Sequence, residues 1–132
     1  MKAVLILGSE TDAGFAARIT DRLTELGIAW EQHVASAHKQ PRRVLELLDE
    51  YAAEKGIVYV TIAGRSNALS GFVAANSTFP TLACPPFQDK LDMLVNVHST
   101  LQMPSKTPVL TVLDPGNCAD AIARIFRVSQ PS

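Results

Sequence analysis

An α/β fold with one parallel sheet and helices on both faces is the architecture this sequence predicts. Three observations lead there. Short apolar runs closed by turn residues recur along the chain, as buried central strands do. Between them lie segments with apolar residues at helical spacing. The connections joining the two leave little slack, as in tightly wound βα units.

Each element has its own justification. Lys2 to Leu7 (KAVLIL), closed by Gly8, reads as a central strand. A helix starts near Asp12, with Ala16, Ile19, Leu23 and Leu26 on one face and Gly27 as its stop. Ala29 to Ala35 is a weaker strand. Pro41 suits the first position of a second helix, whose Val44, Leu47, Leu48 and Tyr51 share a face before Gly56 ends it. Ile57 to Ile62 (IVYVTI) is β-branched and apolar, a buried strand, and a short helix around Ala68 to Asn76 follows. Thr81 to Cys84 is a fourth strand, cut off by Pro85 and Pro86. Leu91, Leu94, Val95, His98 and Leu101 mark a fourth helix, and Val109 to Leu113 a fifth strand. Asp114 and Pro115 cap and start a last helix through Phe126. With right-handed crossovers, these five units predict a three-layer, flavodoxin-like fold whose parallel sheet has the order 2-1-3-4-5.

Composition narrows the function classes. A chain of 132 residues fits one domain spanning 1–132. A hydrophobic fraction of 47% with net charge −1 describes a soluble globular protein without a basic stripe for nucleic acid. The apolar run after Met1 and Lys2 is too short for a secretory signal. No apolar segment approaches the roughly 20 residues that span a bilayer. Cys84 and Cys118 do not make a disulfide framework, and neither CxxC nor HExxH spacing is present to suggest zinc. The expectation is a cytoplasmic protein that takes a small molecule.

In a 2-1-3-4-5 sheet the loops after strands one, two and three border one crevice, where open α/β sheets bind ligands. The loop after strand three, Ala63 to Gly71 (AGRSNALSG), offers a cation, hydroxyls and an amide between Gly64 and Gly71. Glycines there would let the backbone approach a ligand or change shape, although a polar surface turn is an equally open reading. After strand one, Gly8-Ser9-Glu10-Thr11-Asp12 matches a helix capping box. The same hydroxyls and free N–H groups could hold a phosphate, with Asp12 accepting from ribose hydroxyls; the two roles are compatible. After strand two, Ser36-Ala37-His38-Lys39 places an imidazole where a general acid/base belongs, beside an ammonium that should favour its neutral form. His33 in a strand and His98 on a helix face read as packing or surface residues.

Several alternatives fit poorly. A phospho-receiver domain needs an aspartate ending strand three, where Ala63-Gly64 stands. A flavodoxin would need aromatic residues in the three loops, and they have none. The first loop, GSETD, is not the GxGxxG of a dinucleotide-binding domain.

From GSETD through SAHK, AGRSNALSG and CPP to QMP, the chain resembles the phosphoribosylaminoimidazole carboxylase (PurE) family of purine biosynthesis. AGRSNALSG looks like the branch that carboxylates aminoimidazole ribonucleotide (AIR) directly and reversibly with carbon dioxide, giving carboxyaminoimidazole ribonucleotide (CAIR). The other branch is a mutase acting on the N5-carboxylated isomer, usually with SAHR and a longer, histidine-bearing loop. Lys39 and a loop without histidine favour the carboxylase. The resemblance implies that Gly8, Ser9, Thr11 and Asp12 bind the ribose phosphate, with Ser36 and Lys39 close by. It makes His38 the general acid/base. It gives Gly64, Arg65, Ser66, Asn67, Ala68 and Leu69 to a mobile loop over the imidazole and the carboxylate. It implies carbon dioxide as cosubstrate, no metal, no biotin, and a homo-oligomer, in this family usually an octamer.

Departures are few. Thr11 replaces a usual serine, Gln102 an arginine, and Lys106 a common glycine. Many relatives continue into a further helix packed on neighbouring subunits, so the early stop bears on the octamer. A noncatalytic relative that binds a phosphorylated nucleoside is the reading from a different class, and an intact His38 argues against it.

Overall fold

Alternation along the strands decides which side chains meet which helices. A computed structural model describes residues 1–130. Its strands are β1 (Lys2–Leu7), β2 (Ala29–Val34), β3 (Ile57–Ile62), β4 (Thr81–Ala83) and β5 (Leu110–Thr111). Between and after them run α1 (Ala13–Glu25), α2 (Pro41–Ala52), α3 (Leu69–Ala75), α4 (Lys90–Leu101) and α5 (Pro115–Ser129). All pairings are parallel and the order is β2-β1-β3-β4-β5, the predicted topology.

Ala3, Leu5 and Leu7 of β1, with Val58, Val60 and Ile62 of β3, pack on one face against α1 and α5. The alternate residues Val4, Ile6, Ile57 and Tyr59 pack on the other against Val44, Leu47, Leu48 and Tyr51 of α2 and Leu69 and Val73 of α3. Both faces of the central strands are thereby removed from water, which is why they read as continuous apolar runs. Gly27 (φ 72°) follows the C-cap of α1 in the left-handed region, the place where glycine costs least, and Gly56 (φ 73°) adopts the same region at the turn into β3. Asp114 caps α5 by accepting from the Asn117 N–H at 2.8 Å, with Pro115 behind it.

Three expectations needed correction. The ends of β4 and β5 are shorter than the apolar runs Thr81–Cys84 and Val109–Leu113 suggest. Pro85 and Pro86 cannot donate to a ladder, so β4 ends there, and the last bond from the β5 side runs from the Val112 N–H to the Ala83 carbonyl at 3.0 Å. The helix beginning near Asp12 is preceded by a 3₁₀ turn, Glu10–Asp12, capped by Ser9 through the Thr11 N–H at 3.3 Å. Asp12 makes no capping bond to α1, so the capping box is only half formed. Most informative is α4. Its Leu91, Leu94, Val95 and Leu101 are each more than half exposed, while Asn96 and Thr100 are the buried residues. Polar groups of the β3–α3 loop and the β4–α4 loop occupy its inner side and require polar partners there.

Candidate active site

Strand register brings the functional loops together. Leu7 lies opposite both Val34 and Ile62, and Thr61 opposite Ala83, so the strands' carboxyl ends finish nearly level. The loops that follow enclose a cavity of about 160 Å³. Gly8, Ser9 and Asp12 line it from the first loop, Ser36, Ala37 and His38 from the second, and residues 63–69 from the third. Thr11 lies in an adjoining cavity of about 520 Å³, which shares Asp12, Gly64 and Arg65 with the first. Lys39 is exposed and lines neither; its backbone N–H donates to Ser36 Oγ at 3.2 Å, closing the turn before α2.

Near the first loop, the Ser9 and Thr11 hydroxyls bond each other at 2.9 Å. That bond uses one of the two hydroxyl hydrogens and leaves the other free at the entrance of the 3₁₀ turn. Between the two cavities, burial holds the Asp12 carboxyl above its ordinary range. A carboxylate desolvated and left out of the capping arrangement is well placed to accept from ligand hydroxyls.

His38 Nε2 lies 2.9 Å from the carbonyl oxygen of Ser66. A carbonyl can only accept, so Nε2 carries a proton and neutral His38 offers Nδ1 as its acceptor. Ser66 has φ 51°, in the left-handed region that a side chain makes costly. The flanking glycines do not supply the unusual backbone, contrary to what glycine chemistry suggests. Neither Gly64 nor Gly71 has positive φ. Gly71 lies inside α3, where an added Cβ would approach Met103 Sδ at 3.1 Å; its small size serves packing.

Asn67 is only 8% exposed. Its Nδ2 donates to Ser70 Oγ at 2.7 Å and Thr100 Oγ1 at 2.9 Å, and its Oδ1 accepts from the Ser70 N–H at 3.1 Å. Ser70 Oγ continues to Thr61 Oγ1 at 2.6 Å, and Thr61 donates to the Leu82 carbonyl at 3.4 Å. The backbone N–H of Asn67 donates to Ser99 Oγ at 2.9 Å. Asn67 therefore lines the cavity while its amide faces inward, fastening the loop to β3 and α4.

Residues missed in the sequence line the larger cavity: Phe15 and Arg18 of α1, Phe87 and Gln88 after β4, and Asp92 and Asn96 of α4. The rule that placed three loops at strand ends applies equally to the loop after β4, and CPP was its signal. Arg18 and Asn96 had none, being isolated polar residues on helices. The remaining histidines are structural or peripheral. His33 Nε2 donates to Tyr51 Oη at 2.8 Å, since the Tyr51 hydroxyl is itself donated to Glu31; His98 is exposed. Among the described residues no cluster of three or more His, Cys, Asp or Glu could hold a metal, and no helix is long and apolar enough to cross a membrane.

A doubly wound sheet with an imidazole, a desolvated carboxylate and hydroxyl-rich loops around one crevice defines a small-molecule-binding α/β protein. Residues 2–132 match the model of the family described as AIR carboxylase, and the chain belongs to that family. It is 46% identical over 126 residues to phosphoribosylaminoimidazole carboxylase of Archaeoglobus fulgidus, covering 96% of this chain and 69% of that protein. It is 42% identical over 124 residues to the protein of the same name from Treponema denticola, covering 93% and 77%. The crystal structure of Treponema denticola PurE superposes with a TM-score of 0.88 at 40% identity, over 97% of this chain and 81% of that one.

Proposed function

We propose that this protein carboxylates AIR reversibly with carbon dioxide, giving CAIR in purine biosynthesis, with His38 as the general acid/base. The observation behind this is the convergence of His38, Asp12 and residues 63–69 on one small cavity between the first three loops. The aminoimidazole ring is an electron-rich enamine. Its ring carbon forms the new C–C bond to carbon dioxide, and one C–O π pair becomes carboxylate charge. The ring then loses the proton on that carbon, and the C–H electron pair restores aromaticity. A single well-placed imidazole suffices for that transfer, contributing about 10²–10⁴-fold. Ser9, Thr11 and Asp12, with Ser36 and Lys39 nearby, would hold the ribose phosphate, while hydroxyl and N–H groups of the 64–69 loop receive the developing charge. This reaction calls for neither metal nor biotin.

A loop without histidine supports direct carboxylation over the mutase. Incubation of AIR with bicarbonate-derived carbon dioxide and no ATP separates them. Formation of CAIR supports the carboxylase, whereas a requirement for the N5-carboxylated isomer supports the mutase. The same proposal includes a homo-oligomer covering the apolar outer face of α4, on the scale of the octamer of this family; a monomeric solution mass would contradict it.

A further inference from the structure

One peptide group joins the proton-transfer residue to a helix outside the crevice. The carbonyl of Ser66 accepts from His38 Nε2 at 2.9 Å, and the N–H of that same Ser66–Asn67 peptide donates to Ser99 Oγ on α4 at 2.9 Å. In a trans peptide these groups point in opposite directions, so the peptide plane spans from His38 on one side to α4 on the other. Its orientation depends on Ser66 holding φ 51°, a conformation that persists only where surrounding contacts enforce it. Ser99 supplies such a contact at the N–H, and the buried Asn67 amide fixes the next residue through Thr100 and Ser70.

The geometry points to Ser99 as a positioning residue that acts through this peptide to hold His38 in its Nε2–H tautomer, leaving Nδ1 as the atom that takes the substrate proton. The inference rests on the reaction proposed above. In the carboxylation direction the ring C–H bond breaks, its electron pair returns to the ring, and the proton moves to Nδ1. His38 becomes imidazolium with Nε2–H still on the Ser66 carbonyl, which strengthens as a charge-assisted bond. The exposed imidazole then releases a proton to water, and in decarboxylation Nδ1 returns one to the ring carbon. A His38 free to adopt the other tautomer would present Nε2 bare toward a carbonyl that cannot donate, and Nδ1 would already carry a proton.

The test uses the full chain labelled with ¹⁵N-histidine, at a pH above imidazole titration and without substrate. His38 resonances are assigned by their loss in His38→Asn. The expected spectrum shows the Nε2–H tautomer in wild type and loss of that preference in Ser99→Ala. In parallel, kcat for CAIR decarboxylation falls about 10- to 100-fold in Ser99→Ala with KM within about twofold. Ser99→Thr, which keeps the hydroxyl, restores both. A wild-type Nδ1–H tautomer, or a Ser99→Ala protein that keeps the Nε2–H form and full kcat, overturns the inference. Tautomer control by Ser99 in a wild-type protein that decarboxylates nothing supports the relay and overturns the assigned reaction instead.

Discussion

Replacing Asn67 by alanine separates a structural amide from a substrate ligand. The side chain makes hydrogen bonds of 2.7, 2.9 and 3.1 Å, and both hydroxyl partners are buried. A net hydrogen bond is worth about 0.5–1.5 kcal/mol, and a buried group left without a partner costs about 1–3 kcal/mol. Ser70 Oγ keeps Thr61 as a neighbour, but Thr100 Oγ1 and the Ser70 N–H lose the partners they have here. The expected loss is therefore about 3 kcal/mol, and for a domain of this size a fall in Tm of about 10 °C. Urea unfolding followed by circular dichroism measures it, with Arg65→Ala as an exposed control on the same loop expected to change stability by less than about 0.5 kcal/mol. A loss below about 1 kcal/mol together with a large rise in KM for CAIR would refute the structural role. It would instead make the Asn67 amide a ligand contact.

Other consequences concern backbone strain and ionisation. Lys106 is exposed at φ 62°, a position where glycine avoids a steric penalty of about 1–2 kcal/mol. After allowance for the greater freedom of unfolded glycine, Lys106→Gly should gain about 0.5–1 kcal/mol, read as a Tm increase of a few degrees. Burial raises the Asp12 pKa, so the folded state binds that proton more tightly than the unfolded chain. The ionised carboxylate thus weakens folding above the folded pKa, and the handicap disappears as pH falls below the unfolded value. Asp12→Asn should raise Tm at pH 7, give no gain at about pH 3, and weaken substrate binding; equal gains at both pH values would contradict the desolvation account.

The central architecture was legible because β1 and β3 are apolar on both faces, which fixes them as interior parallel strands. Their boundaries agree with the runs Lys2–Leu7 and Ile57–Ile62 residue for residue. At α4 periodicity identified a helix but not its inward face. The inner side meets the polar Asn67 network and the Pro86 carbonyl, so Asn96 and Thr100 are buried and the leucines face outward. At the site, the loops after the first three strands could be placed from topology alone. What each side chain does within them could not. Asn67 and Ser66 sit side by side in AGRSNALSG, yet one faces the interior and the other offers its carbonyl to His38. Ser99 comes from a helix 32 residues further along, and no local pattern marks it.

The most direct test is the absorbance time course of CAIR decarboxylation without ATP, run with wild type and His38→Asn. Wild type should consume CAIR, and the variant should retain its fold and bind CAIR while turnover falls by at least about 10². Wild-type rates in His38→Asn would contradict a mechanism in which this imidazole carries the proton.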